Sequence, residues 1–395
     1  MILAQARHLL AQVLHPLSYE QFFQEVVSRR PLLLPADTAL PARQLLGPDP
    51  KALLLSQFAA YAATLTCHIR QAQVPAPKPR AVPDAAAFAG LLAEYHSNDY
   101  TVRFPDVTNA TPELAAFNRA LTLLFGNPAS TVLFWSLTGA EAPVHDDEVD
   151  VIAIQLVGTK RWFISDEPPK LPNKWKALGA SVPPLGTHRV YDVKPGDLLY
   201  LPRGTTHTVQ STGESLHISI GFVPVTIWEA IGSALDYMAD FEKPLRANAA
   251  GRADALAHGQ ELDLAGAQMR AGLERLLQLC QQPGFIEAAL AHRQARMLLE
   301  LPKLTKPAAE MPPLNRETRV QQTPLAIGQV NVLPHILDFR FPGDQLLVHP
   351  AVAPSMEFVR QTPQFAVKDI PGPIGDDVRL VLVEKLLHSG FLQLI

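Results

Sequence analysis

The chain has 395 residues, of which 47% are hydrophobic and 18% charged, as in folded proteins with a sizeable core. The formal net charge of −4 argues against a broad basic surface for nucleic acid. Two cysteines, Cys67 and Cys280, support neither a disulfide framework nor a thiolate zinc site and favour a reducing compartment. There is no secretory-signal pattern and no apolar run long enough for a transmembrane helix. We therefore expect a cytoplasmic protein without a membrane partner.

Residues 1–128 have a mostly helical pattern. Ser18 and Gln21 have the spacing of a capping box, and the helix that they open should stop by Pro31. A short strand, LLLP, follows. Further helices are predicted for KALLLSQFAAYAATL, DAAAFAGLLAEYHS and TPELAAFNRALTLLFG, the last with a threonine cap and a terminal glycine. We define this stretch as a helical N-terminal part.

Residues 129–225 have a different pattern, made of short β-rich segments separated by turn signals. The segments are TVLFWSL, DVIAIQLV, KRWFIS, HRVYDV, DLLYLP, THTVQS and SLHISIGF. Such regular spacing is typical of an antiparallel barrel or sandwich. We expect a double-stranded β-helix of the jelly-roll type here, which makes the chain an α+β protein.

Beyond this core the chain is expected to form two further parts. Residues 226–305 show helical apolar spacing and could form a bundle that makes a dimer contact, or a brace within one chain. Residues 306–395 contain short strands, HILDFRF and QLLVHP, two helices, SMEFVRQT and GDDVRLVLVEKLLHSG, and a terminal strand, FLQLI. That order resembles a winged helix.

Three residues of the core could share one metal ion. His145 and Asp147 are two positions apart ahead of an apolar run, so both can point to one side, whereas Asp146 points away. His207 follows the distant strand GDLLYLP and a PRGT turn. Two histidines and one carboxylate occupy one face of an octahedron, as in non-haem Fe(II) oxygenases. Glu148 is the alternative carboxylate, but its parity with His145 is wrong.

These motifs together resemble a known family. The H-x-D pair, the segment IQLVGTKRW, the segment GDLLYLPRGTTH and the strand SLHISIGF look like those of the JmjC-domain ribosomal oxygenases of the cupin-like superfamily. Members of that family have a helical N-terminal part, a JmjC barrel, a helical dimerisation region and a C-terminal winged helix. The order predicted above is similar over essentially the whole chain.

The resemblance implies cofactors and residue roles. His145, Asp147 and His207 would bind Fe(II). Lys160, at the position of the family's basic residue in the G-x-(K/R)-x-W turn, would pair with the distal carboxylate of 2-oxoglutarate. O₂ would be the second co-substrate. Thr131 stands where the family often has a polar contact to 2-oxoglutarate, commonly Asn, so its role is an open expectation.

Five further features of the core are less specific. His217 and Ser219 share a face of SLHISIGF, and His217 is better explained as a packed core histidine than as a ligand. Asp150 is expected to hydrogen-bond a barrel turn or to close the rim. The loops LTGAEAP and LPNKWKALGASVPPLG stand where a pocket entrance would be, without a readable specificity code.

The resemblance implies hydroxylation of a ribosomal protein, typically at the β-carbon of an Arg or His residue. Two alternatives remain. One is a peptide-tailoring 2-oxoglutarate hydroxylase that acts on a biosynthetic precursor. The other is a non-enzymatic regulator that combines a cupin with a winged helix. Residues 316–395 contain seven basic and eight acidic residues, which argues against DNA binding. We expect a homodimer with a protein or peptide substrate.

Overall fold

The computed structural model of the chain describes residues 3–36, 40–68, 78–171, 184–260, 262–304 and 312–395. The chain forms two compact units, residues 1–223 and 224–395. No described helix is both long enough and apolar enough to span a bilayer. Neither Cys67 nor Cys280 forms a disulfide.

The helices of the first unit precede its barrel strands. They are α1 (Leu3–Leu14), α2 (Tyr19–Ser28), α3 (Leu40–Arg43), α4 (Pro50–Ser56), α5 (Phe58–Tyr61), α6 (Ala85–His96) and α7 (Pro112–Phe125). Ser18 and Gln21 form the expected capping box of α2. Thr111 caps α7, and Gly126 ends it in the left-handed conformation. The single helix expected over KALLLSQFAAYAATL is instead divided between α4 and α5.

The strands of the first unit form two sheets. The strands are β1 (Leu32–Leu34), β2 (Thr66–His68), β3 (Thr101–Phe104), β4 (Ser130–Ser136), β5 (Asp150–Val157), β6 (Lys160–Ser165), β7 (His188–Val193), β8 (Leu198–Leu201), β9 (His207–Ser211) and β10 (Ser215–Phe222). One sheet has the order β1-β8-β5-β10-β4-β3-β2, and the other has the order β7-β6-β9. Every strand predicted between residues 129 and 225 is present.

The N-terminal part contains two strands, β2 and β3, in addition to the predicted strand at LLLP, which is β1. Strand β1 forms one edge of the large sheet, β2 forms the other, and β3 lies between β2 and β4. The segments TCH and TVRF are too short for a period of two to stand out from their helical surroundings. Backbone pairing of β2 with β3 and of β3 with β4 decides their conformation.

The large sheet is buried on both faces. On one face, Ile152, Ile218 and Ile220 pack in a core with residues of α1, α2 and α7. On the other face, Val151 and Leu199 pack against side chains of β6 such as Trp162. The apolar run DVIAIQLV is therefore explained by burial on both sides, and the two sheets face each other across the barrel.

Arg43 joins several loops of the first unit. It is 1% exposed, and burial lowers the pKa of its guanidinium to about 10, against the opposing effect of Asp197. Its nitrogens donate at 2.8–2.9 Å to the carbonyl oxygens of Val13, His15, Leu34, Pro35 and Gly196. One buried guanidinium thereby holds these backbone carbonyls together.

The second unit begins with helices. They are α8 (Ile227–Ala239), α9 (Ala253–Ala257), α10 (Leu262–Cys280) and α11 (Phe285–Glu300). A small core that includes Met238, Leu276 and Phe285 joins α8, α10 and α11.

The rest of the second unit has its own core. Its elements are β11 (Arg319–Gln322), β12 (Gln329–Val332), β13 (Leu337–Phe341), β14 (Asp344–Val348), α12 (Ala353–Gln361), β15 (Gln364–Ala366), α13 (Asp376–His388) and β16 (Leu392–Leu394). They form two three-stranded sheets, β15-β11-β16 and β12-β13-β14. The predicted helices and strands of this region are present, whereas β11, β12 and β15 had no clear sequence signal.

Candidate metal centre and its cavity

His145, Asp147 and His207 come together in the barrel. One ligand atom of each lies within 4.8 Å of the others. His207 Nε2 is 3.8 Å from Asp147 Oδ2, and the two imidazole centroids are 4.3 Å apart. The three residues that the sequence analysis grouped are thus close enough to share one metal ion.

Backbone pairing positions the H-x-D segment. The His145 N–H donates to His207 O at 2.9 Å, and the His207 N–H donates to His145 O at 2.8 Å. Asp147 O accepts from the Gly204 N–H at 2.8 Å. The segment therefore runs antiparallel beside β9 in the small sheet, although in sequence it leads into β5 of the large sheet. Asp146 lies 3.3 Å from Lys170, and Glu148 is exposed.

Hydrogen bonds fix which nitrogen of each imidazole is available. His145 Nδ1 is 2.8 Å from Pro143 O, and His207 Nδ1 is 2.9 Å from Thr205 O. Because a carbonyl can only accept, Nδ1 carries the proton and Nε2 keeps its lone pair. Burial, and then the neighbouring His145, lower the pKa of His207 to about 4. His207 is therefore neutral at pH 7, as a metal ligand must be.

The three groups line a cavity of about 520 Å³ between the sheets. Lys160 lies in its wall and is 1% exposed. Its ammonium donates to Ser136 Oγ at 2.9 Å, and Ser136 Oγ is 2.9 Å from Thr101 Oγ1. Among the described residues, Lys160 has no carboxylate partner. Burial lowers its pKa to about 7, since desolvation disfavours the charged form.

Two residues of the cavity lining, Trp162 and His217, also have buried polar atoms without partners. Trp162 Nε1 and His217 Nδ1 are fully buried, and neither has a hydrogen bond. The Trp162 ring stacks against His207 with centroids 5.6 Å apart, and His217 stacks on Phe134 at 4.9 Å. Unsatisfied buried polar atoms are rare. Together with Lys160 they suit a small anionic or polar molecule, and the two-histidine, one-carboxylate donor set suits Fe(II).

Thr131 does not belong to the cavity, and its expected contact with a co-substrate must be corrected. Val132, Phe134 and Ser136 face the cavity, so Thr131 faces the other side of β4. Its hydroxyl exchanges hydrogen bonds with Asn118 of α7 at 2.8 and 3.1 Å. The sequence analysis missed Ser136, although the same parity rule along β4 could have found it.

The other residues discussed from sequence have distinct positions. His217 and Ser219 both line the cavity, and His217 is also a packed, buried residue. Asp150 is buried and accepts from the Tyr200 hydroxyl at 2.7 Å, so it braces β5 against β8. Ala140 and Ala142 of the loop LTGAEAP line the cavity. Most of the loop LPNKWKALGASVPPLG, residues 172–183, lies outside the described residues.

A substitution at Gly204 tests whether its backbone contact with Asp147 supports metal binding. The φ of Gly204 is +76°, and a Cβ there would lie 2.0 Å from Lys170 O. We expect Gly204→Ala to displace the backbone hydrogen bond between the Gly204 N–H and Asp147 O. Because Asp147 is a proposed ligand, Co(II) affinity should fall about tenfold or more, the range for lost supporting contacts. Titration of the Co(II) absorption bands measures this. Gly47→Ala is the control, because Gly47 has φ +75° but no atom within 4 Å of its Cβ position. Equal Co(II) affinity in both variants would contradict the role of Gly204.

Lys160 should lower the stability of the free protein. Its folded pKa of about 7 lies below the ordinary value of 10.5, so the unfolded chain binds more protons between pH 7 and 10.5. Burial of the charged lysine lowers the free energy of unfolding in full below pH 7. This loss fades as the pH rises through the window, by up to about 1.4 kcal/mol per pH unit. We expect Lys160→Met to raise the free energy of unfolding at pH 7. Urea unfolding of both proteins at pH 7 and pH 10 measures this, and a difference that does not shrink with pH would contradict it.

Comparison with known proteins agrees with this geometry. Residues 118–230 match the family model of the JmjC domain. Ribosomal oxygenase 2 of Mus musculus is 26% identical over 225 residues, which cover 55% of this chain and 47% of that protein. Ribosomal protein uL16 3-hydroxylase of Escherichia coli K12 is 26% identical over 155 residues, covering 38% of this chain and 40% of that protein. The chain spans less than half the length of these curated relatives.

A solved structure extends the likeness in fold. The structure of YcfD, a ribosomal oxygenase from Escherichia coli, in complex with cobalt and 2-oxoglutarate aligns with a TM-score of 0.56 and 18% identity. The alignment covers 96% of this chain and 98% of that one. The chain therefore carries a JmjC domain of the cupin fold, and its relatives include proteins named ribosomal oxygenases.

Proposed function

We propose that the protein is an Fe(II)- and 2-oxoglutarate-dependent oxygenase that hydroxylates a protein side chain. The observation that supports it most is the joint placement of the triad and Lys160 in one cavity. A buried ammonium with only hydroxyls around it is costly unless a ligand supplies the missing anion. The carboxylate of a co-substrate would meet that need.

The spacing along the small sheet is consistent with this assignment. Lys160 is paired with Ser211, and Ile164 is paired with His207. The lysine and the metal ligand are thus separated by four strand residues, roughly 13 Å between backbone positions. The extended lysine side chain covers part of that length, and a short dicarboxylate that reaches from the metal covers the rest.

Each residue has a separate task in this proposal. His145, Asp147 and His207 hold the metal from one side and leave the opposite positions open. Lys160 and Ser136 orient the distal carboxylate. Bound Fe(II) and 2-oxoglutarate would supply O₂ activation, with succinate and CO₂ as products beside the hydroxylated side chain.

We infer that a ribosomal protein is the substrate. The support is the likeness to a protein named ribosomal oxygenase 2 and to one named uL16 3-hydroxylase. By family resemblance, the hydroxylated atom is the β-carbon of an Arg or His residue. A ribosomal substrate suggests that the protein works in the cytoplasm. No observation favours a peptide-tailoring enzyme. A cupin regulator would bind metal without consuming 2-oxoglutarate.

The activity test compares neighbouring carboxylates. We expect the native chain with Fe(II) to release succinate from 2-oxoglutarate, because the triad and Lys160 are both present. In Asp147→Ala the rate of succinate release should fall at least about 100-fold, the upper range for weakened metal sites. Glu148→Gln should keep most of the activity. Lys160→Met should raise the 2-oxoglutarate concentration needed for half-maximal rate. Succinate is quantified by NMR. Full turnover by Asp147→Ala would refute the proposal.

We also propose a four-part organisation, with residues 226–305 as a helical dimerisation region and 306–395 as a winged-helix-like domain. The two separate cores of the second unit support a boundary between these parts. The near-neutral charge of the last part favours a protein-docking or structural role over DNA binding.

The dimer proposal is supported by exposed apolar residues on α10. Met269, Leu273 and Leu277 are exposed by 70%, 56% and 63% and follow each other at spacings of four, so they lie on one side of the helix. A contiguous exposed apolar surface of this kind often marks an interface.

Light scattering after size-exclusion chromatography tests the dimer. We expect the native chain to have twice the mass of one chain, because pairing would remove this apolar surface from water. Leu273→Glu should give the monomer mass, since a buried glutamate would lack a partner. Val190→Glu is the control, because Val190 is an exposed apolar residue on β7 of the first unit. A native chain of monomer mass would rule the proposal out.

A further inference from the structure

The amine of Lys160 has the properties of a nucleophile. It is buried in the cavity wall, and its hydrogen-bond partner is the neutral hydroxyl of Ser136. Because burial lowers its pKa to about 7, about half of the molecules carry an uncharged amine at pH 7. For a lysine of ordinary pKa that fraction is smaller by about a thousandfold. A desolvated, uncharged lysine amine can attack an electrophilic carbon.

Hydrogen-bond donors stand around this amine. Trp162 lies two residues further along β6, so its side chain points to the same side of the sheet as Lys160, and both line the cavity. The Trp162 Nε1–H is buried and has no partner. Ser211 is paired with Lys160 across the strands. Its hydroxyl oxygen accepts from Ser215 Oγ at 3.1 Å, which leaves its own proton available to an acceptor.

The cavity also supplies positive charge and access from solvent. Arg103 belongs to the lining and lies 3.5 Å from Thr66 Oγ1. Within the described part of the chain it has no carboxylate partner. The side chain of Asp147, at the metal end of the cavity, is 39% exposed, so small molecules can enter from that side. An anion formed on Lys160 would therefore have donors and a counter-charge in the same cavity.

We propose that Lys160 is a carbamylation site, whose amine binds CO₂ reversibly. The nitrogen lone pair forms a bond to the carbon of CO₂, one C=O electron pair moves to its oxygen, and the nitrogen releases a proton to water. No oxidant or reductant is needed. The remaining N–H can still donate to Ser136, while the carbamate oxygens accept from Trp162 and Ser211. Arg103 offsets the new negative charge.

The carbamate would regulate the proposed reaction. Lys160 cannot be an ammonium that receives the distal carboxylate of 2-oxoglutarate and a carbamate at the same time, so CO₂ and 2-oxoglutarate exclude each other. CO₂ is also a product of that reaction. A raised CO₂ concentration should therefore increase the 2-oxoglutarate concentration needed for half-maximal rate. This consequence rests on the proposed function, whereas formation of the carbamate does not.

Carbon-13 NMR of the full chain in ¹³C-labelled bicarbonate tests the site. The protein is loaded with Zn(II), which has no redox chemistry. We expect a carbamate resonance that is absent from Lys160→Met. Lys194→Met is the control, because Lys194 is an exposed lysine of the same unit, and it should keep the resonance. A native spectrum without any resonance that depends on Lys160 would overturn the inference.

A matched pair of tryptophan variants tests the donor. Trp162→Phe keeps an aromatic ring but removes the N–H, so the carbamate resonance should weaken about tenfold, the effect of one hydrogen bond to a charged group. Trp135→Phe should leave the resonance unchanged, because Trp135 Nε1 donates to Glu214 and Trp135 does not line the cavity. Equal resonances in the two variants would count against the inference.

Addition of 2-oxoglutarate separates this inference from the proposed function. We expect the carbamate resonance to disappear as 2-oxoglutarate binds to the Zn(II) protein, and its persistence beside bound 2-oxoglutarate would overturn the competition. A carbamate that depends on Lys160, in a protein without Asp147-dependent succinate release, would support the inference and defeat the proposed function. Succinate release without that carbamate would give the reverse result.

Discussion

The candidate site depends on one backbone pairing, the reciprocal hydrogen bonds between His145 and His207. These two residues are 62 positions apart in the sequence, yet the bridge fixes their side chains on the same side of the small sheet. The same register orients both imidazoles, since each Nδ1 bonds a carbonyl of its own loop. Asp147 then follows from strand parity. Without the bridge, the segment HDDEVD would be an acidic loop with no fixed relation to β9.

Stability and binding place opposite demands on the inner part of the cavity. A barrel that was optimised for stability alone would fill the position of Lys160 with an apolar side chain. Instead the ammonium is held by Ser136, whose hydroxyl is also close to Thr101, while Trp162 and His217 keep unsatisfied nitrogens. Neutral hydroxyls keep the lysine in place without neutralising it. That combination leaves most of its electrostatic attraction available to an incoming carboxylate.

The sequence predicted those features that follow from local periodicity. The strands of the barrel, the cap at Ser18 and the choice of Asp147 over Asp146 all depend on spacings of two to four residues. It did not predict β2 and β3, since three or four residues carry too little pattern. Thr131 was misplaced because an alignment of motifs does not say which face of β4 a residue occupies. Arg43 gave no signal at all, because its partners are carbonyls, which every residue has.

The cavity extends beyond the stretch that identifies the domain. Residues 118–230 match the JmjC domain, but Thr101 and Arg103, which line the cavity, belong to β3 and precede that stretch. Strand β3 pairs with β4 so that Arg103 lies opposite Phe134. The metal ligands come from the sequence motifs of the core, whereas part of the cavity charge comes from β3, a strand between β4 and β2 that the motifs do not include. Chains that share the metal ligands can therefore differ in the charge of this cavity.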